Sequence, residues 1–286
     1  SLDTFPKLLR QNYKRYGDKK VAMREKDFGI WRDITWKELY ETVKYLSCGL
    51  VNLGLERGDK VSIIGDNSPE WFMAEYATQA VGGVVTGLYT EFLPQEVKNT
   101  VTYSDSRFVF AQDQEQVDKL LVVKDEIPLV KKVIHWEAKG LMHYDEPILM
   151  HFNDLIALGK DYDKEHPGFF EESINKGKGE DICLVSLTSG TTRAAPKGAL
   201  ISYNSSLSLM HSWLSIDPWF ESDNYLSFIT LGWIGDQLLA VTSCLLTGAV
   251  CHFAEKPETA MQDLRELAPQ TVFYNSRIWE DVVRDV

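Results

Sequence analysis

Apolar and polar positions along the chain alternate between two rhythms. Leu39, Val43, Leu46 and Leu50 recur at helical spacing. Thr35, with Glu38 three residues on, forms a capping box that opens this helix, and Gly54 closes it. The next stretch, "DKVSIIG", is a short continuous apolar run and reads as a buried strand. Ser68 and Pro69 then supply a cap and a first helical residue for "DNSPEWFMAEYATQAVGG", and "GGVVTGLY" is the following strand. Strand, helix and strand in this order make a β-α-β unit, which requires a parallel pair with a helical crossover.

The alternation continues. Pro94 to Ser104 reads as a helix, "RFVFAQ" as a strand, Gln114 to Lys124 as a helix and "VKKVIHW" as a strand. From Glu137 to Glu180 the pattern weakens into Gly, Pro, Asp and Lys with short apolar pieces such as "FNDLIALG". This stretch ends in "NKGKGED", a flexible surface connection and the expected internal boundary. Beyond it "ICLVSL" and "GALISY" are strands, and a helix follows, capped by Asn204. "YLSFIT" (strand), Asp236 to Leu246 (helix), "GAVCHF" (strand), "ETAMQDLREL" (helix) and "TVFYN" (strand) come next, and a last helix starts near Arg277. The class is α/β, with mainly parallel sheets flanked by helices, in two subdomains over residues 1–180 and 181–286.

Composition narrows the function. The 286 residues are 44% hydrophobic and 25% charged, enough for a large core. A formal charge of −12 argues against a nucleic-acid partner, which needs a basic face. The longest apolar candidate for a membrane span, Leu238 to Phe253, is interrupted by Thr242, Ser243, Thr247 and His252, and the N-terminus has no apolar signal core. Cys48, Cys183, Cys244 and Cys251 lie in apolar segments without Cys-x-x-Cys spacing, so buried reduced thiols in a cytoplasmic protein are expected. The six histidines show no metal-ligand spacing.

The candidate chemistry concentrates in "LVSLTSGTTRAAPKGALISYNSS". Thr188, Ser189, Thr191 and Thr192 surround Gly190, and Lys197 follows between Pro196 and Gly198. A nucleotide P-loop would place Ser or Thr after its lysine and run straight into a helix. Here Gly198 follows Lys197 and a strand comes next, so the segment reads as a strand–loop–strand phosphate clamp. Gly190 lets backbone N–H groups turn inward, the hydroxyls add donors, and Lys197 adds a point charge. The plainer reading is a solvated turn joining two strands.

"TSGTTRAAPKG" resembles the phosphate-loop signature Thr-Ser-Gly-Thr-Thr-Gly-x-Pro-Lys-Gly of the adenylate-forming superfamily: acyl-CoA synthetases, luciferases and peptide-synthetase adenylation domains. "SPEWFMAEYATQAVGGVVTGLY" is similar to the region where that family builds its first sheet, and "YLSFITLGWIGDQ" and "SRIWEDVVRDV" look most like long-chain fatty acyl-CoA synthetases. Arg193 stands where the family has a second glycine, and the loop is one residue longer. Arg193 either points to solvent, the preferred reading, or reaches a phosphate.

The resemblance implies the first part of the large N-terminal domain of an ATP-dependent fatty acyl-CoA synthetase. The substrates would be a fatty acid, ATP and coenzyme A, with Mg2+. It implies that Thr188, Ser189, Gly190, Thr191, Thr192, Lys197 and Gly198 hold the ATP phosphates and that Thr191 contributes to magnesium. Trp233, between Gly232 and Gly235, would wall the acyl and adenylate pocket; the alternative is a core tryptophan packing strand on helix. Asp236 reads as a helix N-terminal charge, and Arg277 and Trp279 as surface charge and helix-start packing. The family's acid-stabilising lysine and adenine motifs would lie beyond Val286, so this chain alone is expected not to turn over and to expose apolar surface that favours self-association. Peripheral membrane contact stays open. A non-catalytic nucleotide- or acyl-binding protein on the same scaffold is the alternative.

Overall fold

The structure, a computed structural model, describes residues 1–188, 197–273, 280 and 284. Helix α1 (Phe5–Tyr16) leads into a hairpin of β1 (Val21–Asp27) and β2 (Ile30–Thr35). There follow α2 (Trp36–Asn52), β3 (Lys60–Ile64), α3 (Pro69–Ala80), β4 (Val84–Leu88), α4 (Pro94–Tyr103), β5 (Ser106–Ala111), α5 (Gln114–Val122) and β6 (Lys132–His135). Next are β7 (Leu149–His151), α6 (Phe152–Glu165), α7 (Phe169–Lys176), β8 (Ile182–Thr188), β9 (Lys197–Ser202), α8 (Tyr203–Ile216) and β10 (Asn224–Ser227). A helical segment then runs as α9 (Ile234–Asp236), a π-helix (Gln237–Ser243) and α10 (Cys244–Thr247), before β11 (Val250–Phe253) and α11 (Ala260–Leu267).

Two sheets organise these elements. One has the order β7-β6-β5-β3-β4-β8-β9, parallel throughout except for β9, which returns antiparallel to β8. The other has the order β10-β11-β1-β2, parallel across its first three strands and closed by the antiparallel hairpin. Each sheet takes strands from both sides of residue 180, so a division at that residue does not separate them.

Helix α3 lies between the sheets. Ser68 caps it by accepting from the Trp71 N–H, and Pro69 occupies its first turn. Residues 71–80 are all buried, and the Phe72 ring meets Phe253 of β11 edge-on at 5.1 Å. Ser47 of α2 donates to the Ala77 carbonyl from another side. Apart from Glu75, Thr78 and Gln79 its buried residues are apolar on every side, as expected of an enclosed helix. Val61, Ile63, Phe108 and Phe110 face this larger core, while Ile64, Val109 and Ala111 face a smaller one with Val97, Val101, Val117 and Leu120 of α4 and α5. The period of two along β3 and β5 thus feeds both faces of the parallel sheet. The four cysteines are free and buried, as expected.

Several elements differ from the sequence reading. Helix α1, with Thr4 as cap and Phe5, Leu8 and Leu9 buried, and the β1–β2 hairpin precede the first helix read from the sequence. The weak region contains α6 and α7. Gly159 sits in the middle of α6 because α2 crosses there: an added Cβ would lie 1.7 Å from the Tyr45 carbonyl oxygen. Gly49 of α2 is its counterpart, with the Leu155 carbonyl oxygen 2.4 Å from its missing Cβ. Helix α8 is capped by Ser202, which accepts from Ser205 N, rather than by Asn204; the Asn204 N–H instead bonds the Gly179 carbonyl. Residues 271–273 form no strand. The helix near Arg277, together with Trp279, falls mostly outside the described residues.

Candidate functional site

Strand order fixes where a ligand crevice opens. From β3 the chain passes through α3 to β4 on one side, then through α4 to β5 on the other. Helices α3 and α4 therefore pack on opposite faces, and the loops after β3 and β4 diverge at the carboxyl edge of the sheet. In open α/β sheets this switch point is where ligands bind. The loop after β3 carries Asp66 and Asn67, and β4 ends at Leu88 before Tyr89.

The phosphate-loop candidate is anchored on the same edge. Strand β8 runs parallel to β4, with Val85 opposite Leu184 and Thr86 opposite Val185, so Thr188 emerges beside the end of β4. Thr188 pairs with Lys197, the first residue of β9, which is exposed. Ser189, Gly190, Thr191, Thr192 and Arg193 lie outside the described residues. Gly198 has a packing reason to be glycine: its N–H donates to Tyr103 Oη at 3.1 Å, and a Cβ would come within 2.5 Å of the Val185 side chain.

The Trp233 bend reaches this edge from the other sheet. After β10 the chain passes Phe228 to Trp233 before entering α9. Gly232 runs against the end of β4: a Cβ on it would sit 3.2 Å from the Leu88 carbonyl oxygen, and one on Gly87 would sit 2.9 Å from Gly232 Cα. Trp233 is 38% exposed, so it is not a core tryptophan. Its ring covers Gly235, where a Cβ would lie 2.1 Å from a ring carbon. The two flanking glycines thus admit a close approach to β4 on one side and an aromatic ring on the other.

Asp236 does stand in the first turn of α9, as read, but not as a solvated charge. It is fully buried. Tyr225 Oη donates to its Oδ1 at 2.7 Å, and Ser227 Oγ (2.6 Å) and Asn67 Nδ2 (2.8 Å) donate to Oδ2. Burial pushes its carboxyl up to about 7, against the lowering effect of those three donors. Glu75 of α3 is likewise fully buried and pushed up to about 7 by desolvation, opposed by hydrogen bonds from Gln237 and Gln79. Asn67, Glu75 and Gln237 were absent from the sequence reading. Two polar residues inside apolar helices, Glu75 in "WFMAEYA" and Gln237 beside "LLAV", were the available signal. The π-helix was also missed; its mark is Thr242 and Ser243, whose hydroxyls donate five residues back to the carbonyls of Gln237 and Leu238.

Among the described residues no group of His, Cys, Asp and Glu could hold a metal ion, and Thr191, the magnesium candidate, is not among them. No helix of the described residues is long and apolar enough to cross a membrane.

The family model described as AMP-binding enzyme matches residues 9–286, and the chain belongs to that family. Long-chain-fatty-acid–CoA ligase ACSBG2 of Xenopus laevis is 27% identical, over 97% of this chain and 38% of that protein. ACSBG1 of Bos taurus, also a long-chain-fatty-acid–CoA ligase, is 26% identical over 95% of this chain and 38% of its own length. The chain spans about 38% of the length of these relatives. Among solved structures, the anthranilate CoA ligase AuaEII in complex with anthranoyl-AMP matches with a TM-score of 0.78 at 20% identity, over 95% of this chain and 49% of that one. The A-PCP didomain of carboxylic acid reductase from Segniliparus rugosus, in complex with AMP, gives 0.79 at 16% identity, over 98% and 42%. The α/β fold is thus that of adenylate-forming enzymes, and the chain is related to acyl-CoA ligases.

Proposed function

We propose that the protein activates a fatty acid with ATP and passes the acyl group to coenzyme A. A carboxylate oxygen attacks the α-phosphorus, the bond to the bridging oxygen of the β-phosphate breaks, and pyrophosphate leaves. The coenzyme A thiol, giving up its proton, then attacks the acyl carbonyl and expels AMP. The observation that carries this reading is the shared edge: Thr188 at the end of β8, paired with Lys197, and the bend before Trp233 both lie at the end of β4. Chemistry of this kind depends on positioning and on charge stabilisation.

The roles are those that the resemblance to adenylate-forming enzymes implies. Lys197 neutralises charge on the departing pyrophosphate, while the loop hydroxyls and backbone N–H groups of residues 188–192 orient it. Trp233 walls the acid beside the α-phosphorus. The relatives named above as long-chain-fatty-acid–CoA ligases support a long-chain substrate.

Acid-dependent exchange of labelled pyrophosphate into ATP, measured on the full-length protein with fatty acids of increasing length, tests the proposal. Exchange is expected with long-chain acids. Its absence with every fatty acid, in a protein that still binds ATP, would sink it and favour a non-catalytic binding role.

A further inference from the structure

Leu231 is gripped at both of its backbone polar atoms by side-chain amides from different elements. Its N–H donates to Asn67 Oδ1 at 3.2 Å, and its carbonyl accepts from Gln237 Nε2 at 3.0 Å. Asn67 comes from the loop after β3, and Gln237 from the first turn of the π-helix. Each amide is in turn held by a buried carboxylate. Asn67 Nδ2 donates to Asp236 Oδ2 at 2.8 Å, and Gln237 Nε2 donates to Glu75 Oε2 at 3.0 Å.

The carboxylates decide how the amides face. Each carboxyl takes the NH2 end of its amide as a donor, Asp236 at Oδ2 and Glu75 at Oε2. For Asn67 that leaves Oδ1 to take the Leu231 N–H, and Nδ2 also donates to the Ile229 carbonyl at 2.8 Å. For Gln237 the same NH2 group serves both Glu75 and the Leu231 carbonyl. Stability alone is a poor reason for this arrangement. Two fully buried carboxylates carry large desolvation costs, and Gln237 Oε1 is buried with no hydrogen-bond partner among the described residues. What the arrangement does supply is a peptide bend fixed from two sides, immediately before Gly232 and Trp233.

We propose that Asn67–Asp236 and Gln237–Glu75 are paired positioning residues that lock the Leu231 peptide groups and thereby set the angle at which Trp233 walls the acid pocket. The proposal rests on the acid-activating function above. It makes the polar residues of α3 and the π-helix determinants of acid binding through the Trp233 ring, although none of them need touch the acid.

The test uses the full-length protein with 5-fluorotryptophan incorporated, the Trp233 signal being assigned by Trp233→Phe. Asn67→Ala and Gln237→Ala are compared with Ser47→Ala, which removes a buried hydroxyl bonded to the Val43 and Ala77 carbonyls away from the bend. Asn67→Ser is a milder second variant: it stays uncharged and polar but is too short to keep both the oxygen toward Leu231 and the donor facing Asp236. In the Asn67 and Gln237 variants the Trp233 fluorine signal should shift or broaden. The KM for the acid should rise about tenfold, the effect of one lost buried hydrogen bond, with the KM for ATP unchanged. Ser47→Ala should lower thermal stability without moving either readout. An unmoved Trp233 signal and unchanged acid KM in the Asn67 and Gln237 variants would overturn the proposal. If the parent protein exchanges no acid, the functional reading fails, and the fluorine signal alone then decides: movement supports the clamp and its absence refutes it.

Discussion

Asn67 Nδ2 lies 2.8 Å from Asp236 Oδ2, and this bond ties the loop after β3 in one sheet to the segment after β10 in the other. Asp236→Ala would leave the Tyr225 and Ser227 hydroxyls without their acceptor in a closed space and remove one of the acceptors of Asn67 Nδ2. A loss of about 3 kcal/mol or more in urea unfolding is expected, because both buried hydroxyls are orphaned at once. Asp236→Asn keeps the volume and one acceptor oxygen and should lose less. Equal, small losses in both variants would mean that the bond does little to hold the sheets together.

The raised carboxyl of Glu75 gives a pH signature. Its folded value of about 7 stands above the ordinary 4.5, so the folded state binds the proton more tightly than the unfolded chain. The stability tied to this proton is fully present below about pH 4.5 and is lost as pH rises through about 7. Relative to Glu75→Gln, the parent should therefore lose stability between pH 5 and pH 8, by about 3 kcal/mol in total. Urea titrations of both proteins across that range measure the difference, and a flat one would show that Glu75 is not perturbed.

The crossing of α2 and α6 tolerates no side chain at Gly159. Gly159→Ala forces a methyl group against the Tyr45 carbonyl, a backbone atom that cannot rotate away. Thermal or urea unfolding should show a loss of about 3 kcal/mol or more, at or above the usual upper range for overpacking. Gly177→Ala is the contrast. Its nearest neighbours lie 3.4 Å from the added carbon, and the change should stay within about 0.5 kcal/mol.

Lys197→Ala should weaken binding of pyrophosphate by about 1–3 kcal/mol, the range for a hydrogen bond to a charged group. Isothermal calorimetry on the full-length protein reads this directly, and unchanged affinity would remove Lys197 from the phosphate site. Gly198→Ala should act differently. It crowds Val185 and so should cost folding stability as well as affinity.

How legible each element was depended on whether its signal is local. Thr35 with Glu38, and Ser68 with Pro69, are complete capping signals within four residues, and both helices begin where they indicate. Helix α6 hid because its cap is His151, an unusual cap residue, and because Gly159 looks like a break. That glycine is explained only by the carbonyl of another helix. Ser202 was overlooked in favour of Asn204 because either residue can cap, and the β8–β9 pairing sets where the strand ends. Asp236 looked like a charge at a helix start because its three donors come from positions 67, 225 and 227. The glycines beside Trp233 pointed to open space around it, in keeping with its partial exposure, but the amides that fix its bend were not legible. Their partners are joined only by the fold.

The pairing of Thr188 with Lys197 has a consequence for how the loop between them can change. The two anchors are held at one strand spacing by β8 and β9, whatever residues join them. Closing a longer join costs little, since the entropy grows only slowly with length. A residue gained or lost within 189–196 therefore need not disturb the register on either side. The stem behaves as a socket, and the join as an interchangeable part whose length and side chains can be altered while the scaffold beneath keeps its shape.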